Sequence, residues 1–203
     1  MERAVFVLGS TGSVYQAVKG FCNEDATPVQ GGGTYVTAKI AMTQLARWLG
    51  ATFGRKAAVL RFFWPYAPYI EHRRVAKLLE GKLMTGQPKA IHQRTYIKQH
   101  VENAIAAAAH ASEKVEIINS ATNENLTEAE LARIGARVAG VEVDPSVEAP
   151  APEPRPGHTA DTEKMVRLLG PTKVLTEEGL RRYLRGRREN VSGPEDWMFA
   201  DPE

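Results

Sequence analysis

The sequence holds a single cysteine, Cys22. No disulfide can form within the chain, and such thiol poverty fits a reducing compartment. No apolar run is long enough to cross a membrane, and the stretch at 4–8 is shorter than the core of a secretory signal. Charge of either sign is nearly balanced, with 26 Lys and Arg against 24 Asp and Glu and a formal net charge of +2. So small a surplus does not favour a polyanionic partner. The five histidines, at positions 72, 92, 100, 110 and 158, show no metal-ligand spacing with acidic or thiolate companions. Internal repeats are also lacking. These absences exclude a disulfide-stapled scaffold, a membrane span, a metal centre and a basic nucleic-acid binder. What remains is an ordinary globular composition, 43% hydrophobic and 25% charged over 203 residues, enough to bury a substantial core. The chain reads as cytoplasmic, with no nucleic-acid and no membrane partner.

Strand and helix patterns alternate. Residues 4–8 form a continuous apolar run opening into small polar residues, which predicts a fully buried strand. A loop follows at 21–33, with Gly31, Gly32 and Gly33 at its end. The spacing of Val36, Ile40, Leu45, Trp48 and Leu49 predicts a helix over about 34–52 with these residues inward. Ala57 to Phe63 reads as a second buried strand, ended by Pro65 and Pro68. Further helices are expected near 70–80, 101–111, 128–139, 162–169 and 176–187, with short strands near 95–97 and 115–119. Thr127-Glu128-Ala129-Glu130 is a capping box and Gly140 a terminator. Residues 148–157 carry four prolines and read as extended loop. The arginines at 181, 182, 185, 187 and 188 suit the C-terminal end of a helix dipole. Strands alternating with helices predict an α/β fold with a parallel sheet.

Two motifs carry chemistry. Ser10-Thr11-Gly12-Ser13-Val14-Tyr15 follows the first strand. Tyr35 and Lys39 lie four apart, on one face of the predicted helix. A fixed ammonium a few ångströms from a phenol favours the phenolate, which can then serve as a general base. Ligands of parallel α/β sheets gather at the carboxyl ends of strands, which is where Thr11 stands. Cys22, in a polar loop without an assignable base, reads as a bystander.

These segments resemble the NAD(P)-dependent epimerase/dehydratase family, the extended short-chain dehydrogenases. Leu8 to Tyr15 is similar to the strand carrying the family's catalytic hydroxyl, a role that falls on Thr11. Tyr35 and Lys39 match the catalytic pair. Leu60 to Pro68 resembles the strand and turn leading to the substrate lobe. Tyr96-Ile97 with Val101 to Ile105 resembles the segment returning to the core, and Asp161 to Met165 with Glu177 to Leu180 the C-terminal pattern. The resemblance covers roughly residues 3–188. It implies a doubly wound Rossmann-like sheet with a small α/β substrate lobe. It also implies an NAD or NADP cofactor and a nucleotide sugar or related secondary alcohol as substrate. Catalysis falls to Thr11, Tyr35 and Lys39. The cofactor would meet Lys39, Ser10, Trp64 and Pro65, and the substrate Ser13 and Tyr66. Gln16, Gln99 and His100 depart from the family's usual residues.

The family's strand, glycine-rich turn and helix for the cofactor pyrophosphate normally lie upstream. With the neighbouring strands they take roughly 70–100 residues at about 30 per βαβ unit. Three residues precede the first strand here. The expected organisation is a partial catalytic segment at 1–68, a substrate lobe at 69–188 with a return near 95–119, and a flexible tail at 189–203. In such a catalytic half the first strand becomes a sheet edge, and the helix at 35–52 loses cover. This predicts a homodimer or association with another chain. The function implied is that of an incomplete NAD(P)-dependent epimerase/dehydratase. The alternative is a non-catalytic remnant or interaction module.

Overall fold

The computed structural model describes residues 4–15, 20–29, 32–70, 73–150 and 159–189. Gln16, Gly31, His72, His158, Pro152, Pro154, Pro156 and the tail from 190 lie outside the described residues.

In chain order the elements begin with β1 (Phe6–Thr11), β2 (Phe21–Cys22), α1 (Gly33–Phe53), β3 (Ala57–Phe62), β4 (Pro65–Tyr66) and α2 (Arg73–Leu79). They continue with β5 (Ile91–His92), β6 (Thr95–Tyr96), α3 (Ile97–Ala107), β7 (Glu116–Ser120), β8 (Leu126–Thr127) and α4 (Glu128–Ala139). The last are β9 (Thr159–Ala160), α5 (Glu163–Leu169) and α6 (Thr176–Arg188). The main sheet is parallel throughout, in the order β1-β3-β7. Leu8 pairs with Val59, and Val59 with Ile117. β3 is central, and Ala58, Val59 and Leu60 are fully buried. Helices cover both faces, as a parallel sheet requires. On one side α1 packs Ala46 over Ala57, Val59 and Ile117. On the other, Ala107 of α3 and Met165 of α5 meet Ala58, Leu60 and Ile118.

Local chemistry sets the helix bounds. Thr127 and Glu130 form the reciprocal capping box that starts α4. Gly54 and Gly140 end α1 and α4 in left-handed conformations. At Gly135 the backbone of α4 approaches α2 so closely that a Cβ would collide with the Leu78 carbonyl. Leu78, Leu131 and Ala132 fill the remaining contact.

Two expectations change. The first strand is not fully buried: it begins at Phe6, which is exposed, as is Val5. β1 is an edge, paired among the described residues only to β3. The inward face of α1 is Val36, Thr43, Ala46 and Gly50, whereas Leu45 and Trp48 are each 54% exposed. Small residues seat the helix, because the Gly50 backbone runs against the Glu113 carbonyl and leaves no room for a larger side chain.

Gln99 and His100 are built into the core. The Gln99 Oε1 accepts from the backbone amides of Lys173 and Val174. The His100 Nδ1 meets the Ser120 Oγ at 2.8 Å, under the Phe62 ring. Burial drives the His100 pKa down from 6.5 to about 3. The unfolded chain therefore binds a proton that the folded chain refuses between those values. Stability conferred by neutral His100 is present above about pH 6.5 and is lost as pH falls towards 3, at about 1.4 kcal/mol per pH unit for one proton. Urea unfolding of wild type and His100→Gln across this range is expected to show the slope of the variant reduced by one proton.

Candidate active site

The carboxyl ends of β1 and β3 open into a cleft of about 400 Å³. Thr11, Gly12 and Ser13 form one wall, Tyr35 stands at the side, and Phe62, Phe63, Trp64, Pro65 and Ile70 complete the lining. Thr11 ends β1 and caps the 3-10 turn that follows, its Oγ1 accepting from the Ser13 amide at 3.2 Å. The same hydroxyl donates to the Ser13 Oγ at 3.3 Å. Both hydroxyls therefore face one space, with Ser13 exposed.

Tyr35 lies in the first turn of α1, 59% exposed. Lys39 follows one turn later. Its Nζ donates to the Gly9 carbonyl of β1 at 2.8 Å and lies 5.8 Å from the Tyr35 ring centroid. Anchoring to β1 fixes the ammonium beneath the phenol and spares it the entropy of a free lysine. Ser10 is buried behind Thr11, with an Oγ that has no hydrogen-bond partner.

Sequence reasoning named eight residues for this site. The structure brings Thr11, Ser13, Tyr35, Trp64 and Pro65 together in the cleft lining, with Lys39 one turn from Tyr35. Ser10 lies beneath the wall rather than in it. Tyr66 is not brought to the cleft. It is fully buried between Tyr96 and Tyr183, and its hydroxyl lies where a side chain at Gly179 would stand. Burial there pushes the Tyr66 phenol up.

Trp64 occupies a left-handed conformation with φ 45°. A bulky residue held there is strained, and such strain gathers at functional sites. Two guanidinium groups lie over its indole ring, Arg94 at 4.6 Å and Arg74 at 5.5 Å from the centroid. Arg94 escaped the sequence reading. It is 1% exposed, and its Nε, Nη1 and Nη2 make no hydrogen bond. Burial above all, then the neighbouring Arg74, lowers its pKa from 12.5 to about 10, with Glu128 acting the other way. Glu128 itself is engaged by the Thr85 amide and hydroxyl and by the Gln87 amide. A stacked ring offsets only about 0.5–2 kcal/mol of such a buried charge. Among the described residues the guanidinium has no hydrogen-bonded counter-charge. The only sequence signal was a cation just ahead of Tyr96-Ile97.

The sequence profile of the NAD dependent epimerase/dehydratase family matches residues 1–121. The chain belongs to that family. No curated protein matches the sequence. Among solved structures it is similar to the UDP-glucose 4-epimerase of Thermotoga maritima determined with UDP-glucose. That match has 23% identity and a TM-score of 0.68, over 92% of this chain and 64% of that one. The UDP-glucuronic acid 4-epimerase of Bacillus cereus, determined with UDP-glucuronic acid and NAD, matches at 22% identity and a TM-score of 0.70, over 94% and 63%. The UDP-glucose 4-epimerase of Thermus thermophilus, determined with NAD, matches at 23% identity and a TM-score of 0.66, over 92% and 65%. The chain therefore spans a little under two thirds of the length of these proteins and shares their Rossmann-like fold. Among the described residues of this epimerase/dehydratase family member, no helix is long and apolar enough to cross a membrane.

Proposed function

We propose that the chain carries the catalytic site of an NAD- or NADP-dependent epimerase or dehydratase acting on a nucleotide-activated sugar. The observation that carries this reading is the convergence of Thr11, Ser13 and Tyr35 on one cleft with the Lys39 ammonium anchored beside Tyr35. The residues fit the nicotinamide end of the cofactor. Tyr35 is open to the cleft, Trp64 and Pro65 give an apolar wall, and the orphaned Ser10 hydroxyl lies behind Thr11. Lys39, Ser10, Trp64 and Pro65 would hold it. When bound, the cofactor supplies the acceptor for a hydride leaving a carbinol carbon.

The chain's own residues do the rest. The Thr11 and Ser13 hydroxyls hold the sugar hydroxyl in line. Tyr35 takes its proton at the phenol oxygen, so that a carbonyl forms as the carbon loses hydride. Lys39, anchored to the Gly9 carbonyl, stands one helical turn from Tyr35 and holds its ammonium beside the reacting groups. We assign residues 69–188 to the substrate lobe and Arg94 to the anionic part of the nucleotide sugar, because its buried guanidinium makes no hydrogen bond among the described residues. The test is turnover. The protein incubated with NAD or NADP and UDP-glucose or UDP-glucuronic acid is expected to give a product altered at a single sugar carbon, seen by chromatography. Unchanged sugars, with both ligands shown to bind, would overturn the reading.

A further inference from the structure

Two guanidinium groups share the Trp64 indole, and their surroundings differ. Arg94 is enclosed, with all three of its nitrogens unpaired. Its planar fork can hold two oxygens at once, so this one residue can serve neighbouring phosphates. Arg74 is exposed, in the first turn of α2, a turn that holds no acidic residue. Its guanidinium lies 5.5 Å from the indole centroid. Among the described residues no carboxylate lies within ion-pair distance of it.

Placement ties Arg74 to the cleft. Trp64 lines the cleft, and so does Ile70, four residues before Arg74 in the chain. The described lining holds neither an acidic nor a basic side chain, and its polar side chains are those of Thr11, Ser13 and Tyr35. The Lys39 ammonium, beside Tyr35, is tied to the Gly9 carbonyl. A carboxylate on the bound sugar would meet no acid in this lining to repel it. It would also need a cation, because an unpaired carboxylate is costly to bury. Arg74, over the Trp64 ring, stands where it can supply one.

We infer that Arg74 selects a nucleotide sugar whose ring itself bears a carboxylate, a nucleotide uronic acid, over the neutral hexose. This rests on the reading of the cleft as a nucleotide-sugar site. The ligand then has two anionic ends on different carbons of one ring. The phosphates at the anomeric carbon meet Arg94, and the carboxylate meets Arg74. Trp64, held in its left-handed conformation, presents both guanidinium groups. A neutral hexose leaves Arg74 in water and gains nothing from it, whereas a carboxylate gains a forked pair of charge-assisted hydrogen bonds. Because Arg74 is exposed, added salt weakens this contact.

Calorimetric titration of the 203-residue chain with UDP, UDP-glucose and UDP-glucuronic acid tests this. Wild type is expected to bind UDP-glucuronic acid about tenfold tighter than UDP-glucose, the scale of a hydrogen bond to a charged group. The preference is expected to shrink in sodium chloride. Arg74→Gln is expected to lose it by binding UDP-glucuronic acid more weakly, with UDP bound as before, and Arg74→Lys to keep part of it. Equal affinity of wild type for the two sugars, or a preference that survives in Arg74→Gln, would overturn the proposal. An Arg74→Gln variant that loses UDP affinity to the same extent would assign Arg74 to the phosphates and overturn it too. In each of these cases UDP still binds wild type, so the nucleotide-sugar reading stands. A folded chain that binds none of the three ligands overturns both.

Discussion

Tyr35→Phe is expected to lower kcat by about 10²–10⁴, the contribution of a positioned general acid or base, with affinity for UDP-glucose changed less than about threefold. The argument rests on placement. Tyr35 is 59% exposed at the head of α1 and makes no core contact whose loss would disturb the fold. The substitution removes one oxygen and leaves the ring, the Lys39 anchor to Gly9 and the cleft wall of Thr11 and Ser13 in place. A residue that only shaped the pocket would shift KM instead. Steady-state kinetics with calorimetric binding separates the two outcomes, since a change confined to KM assigns Tyr35 to binding alone.

Arg94→Met should move stability and binding in opposite directions. The wild-type guanidinium is 1% exposed and unpaired by hydrogen bonds, with Arg74 as a second cation over the same Trp64 ring. Replacing so poorly compensated a buried charge by an apolar chain of similar length is expected to stabilise the unliganded protein by about 1–3 kcal/mol. The same change removes the counter-charge assigned to the nucleotide phosphates. Affinity for UDP should then fall by about tenfold or more, the ratio that corresponds to ~1.4 kcal/mol. Urea unfolding and UDP titration on the same preparation read both effects. A variant less stable than wild type would show that Arg94 is a packing residue, and unchanged UDP affinity would remove it from the site.

Most elements were legible because their signals are local. The Thr127 capping box, the glycine after α4 and the apolar runs of β1 and β3 follow from chain chemistry within a few residues. The orientation of α1 was not legible, because apolar residues recur on both its faces. Hydropathy favours the face with Leu45 and Trp48, yet the helix is seated by Thr43, Ala46 and Gly50, and only the position of the Glu113 carbonyl decides this. In the cleft, Thr11 and Tyr35 were readable from a hydroxyl at a strand end and from a four-residue spacing. Tyr66 was misplaced, since a turn after Pro65 does not reveal which way the next side chain points. Arg94 was invisible, because a lone arginine carries no pattern until the fold encloses it without a partner.

The measurement that bears most directly on the catalytic reading is the fluorescence of reduced nicotinamide after the protein is mixed with NAD and UDP-glucose at saturation, with binding of both verified by calorimetry. The account predicts that wild type develops this signal and that Tyr35→Phe, equally loaded, does not. A folded wild-type protein that binds both ligands and gives no reduced nicotinamide, or a Tyr35→Phe variant that gives as much as wild type, would contradict it.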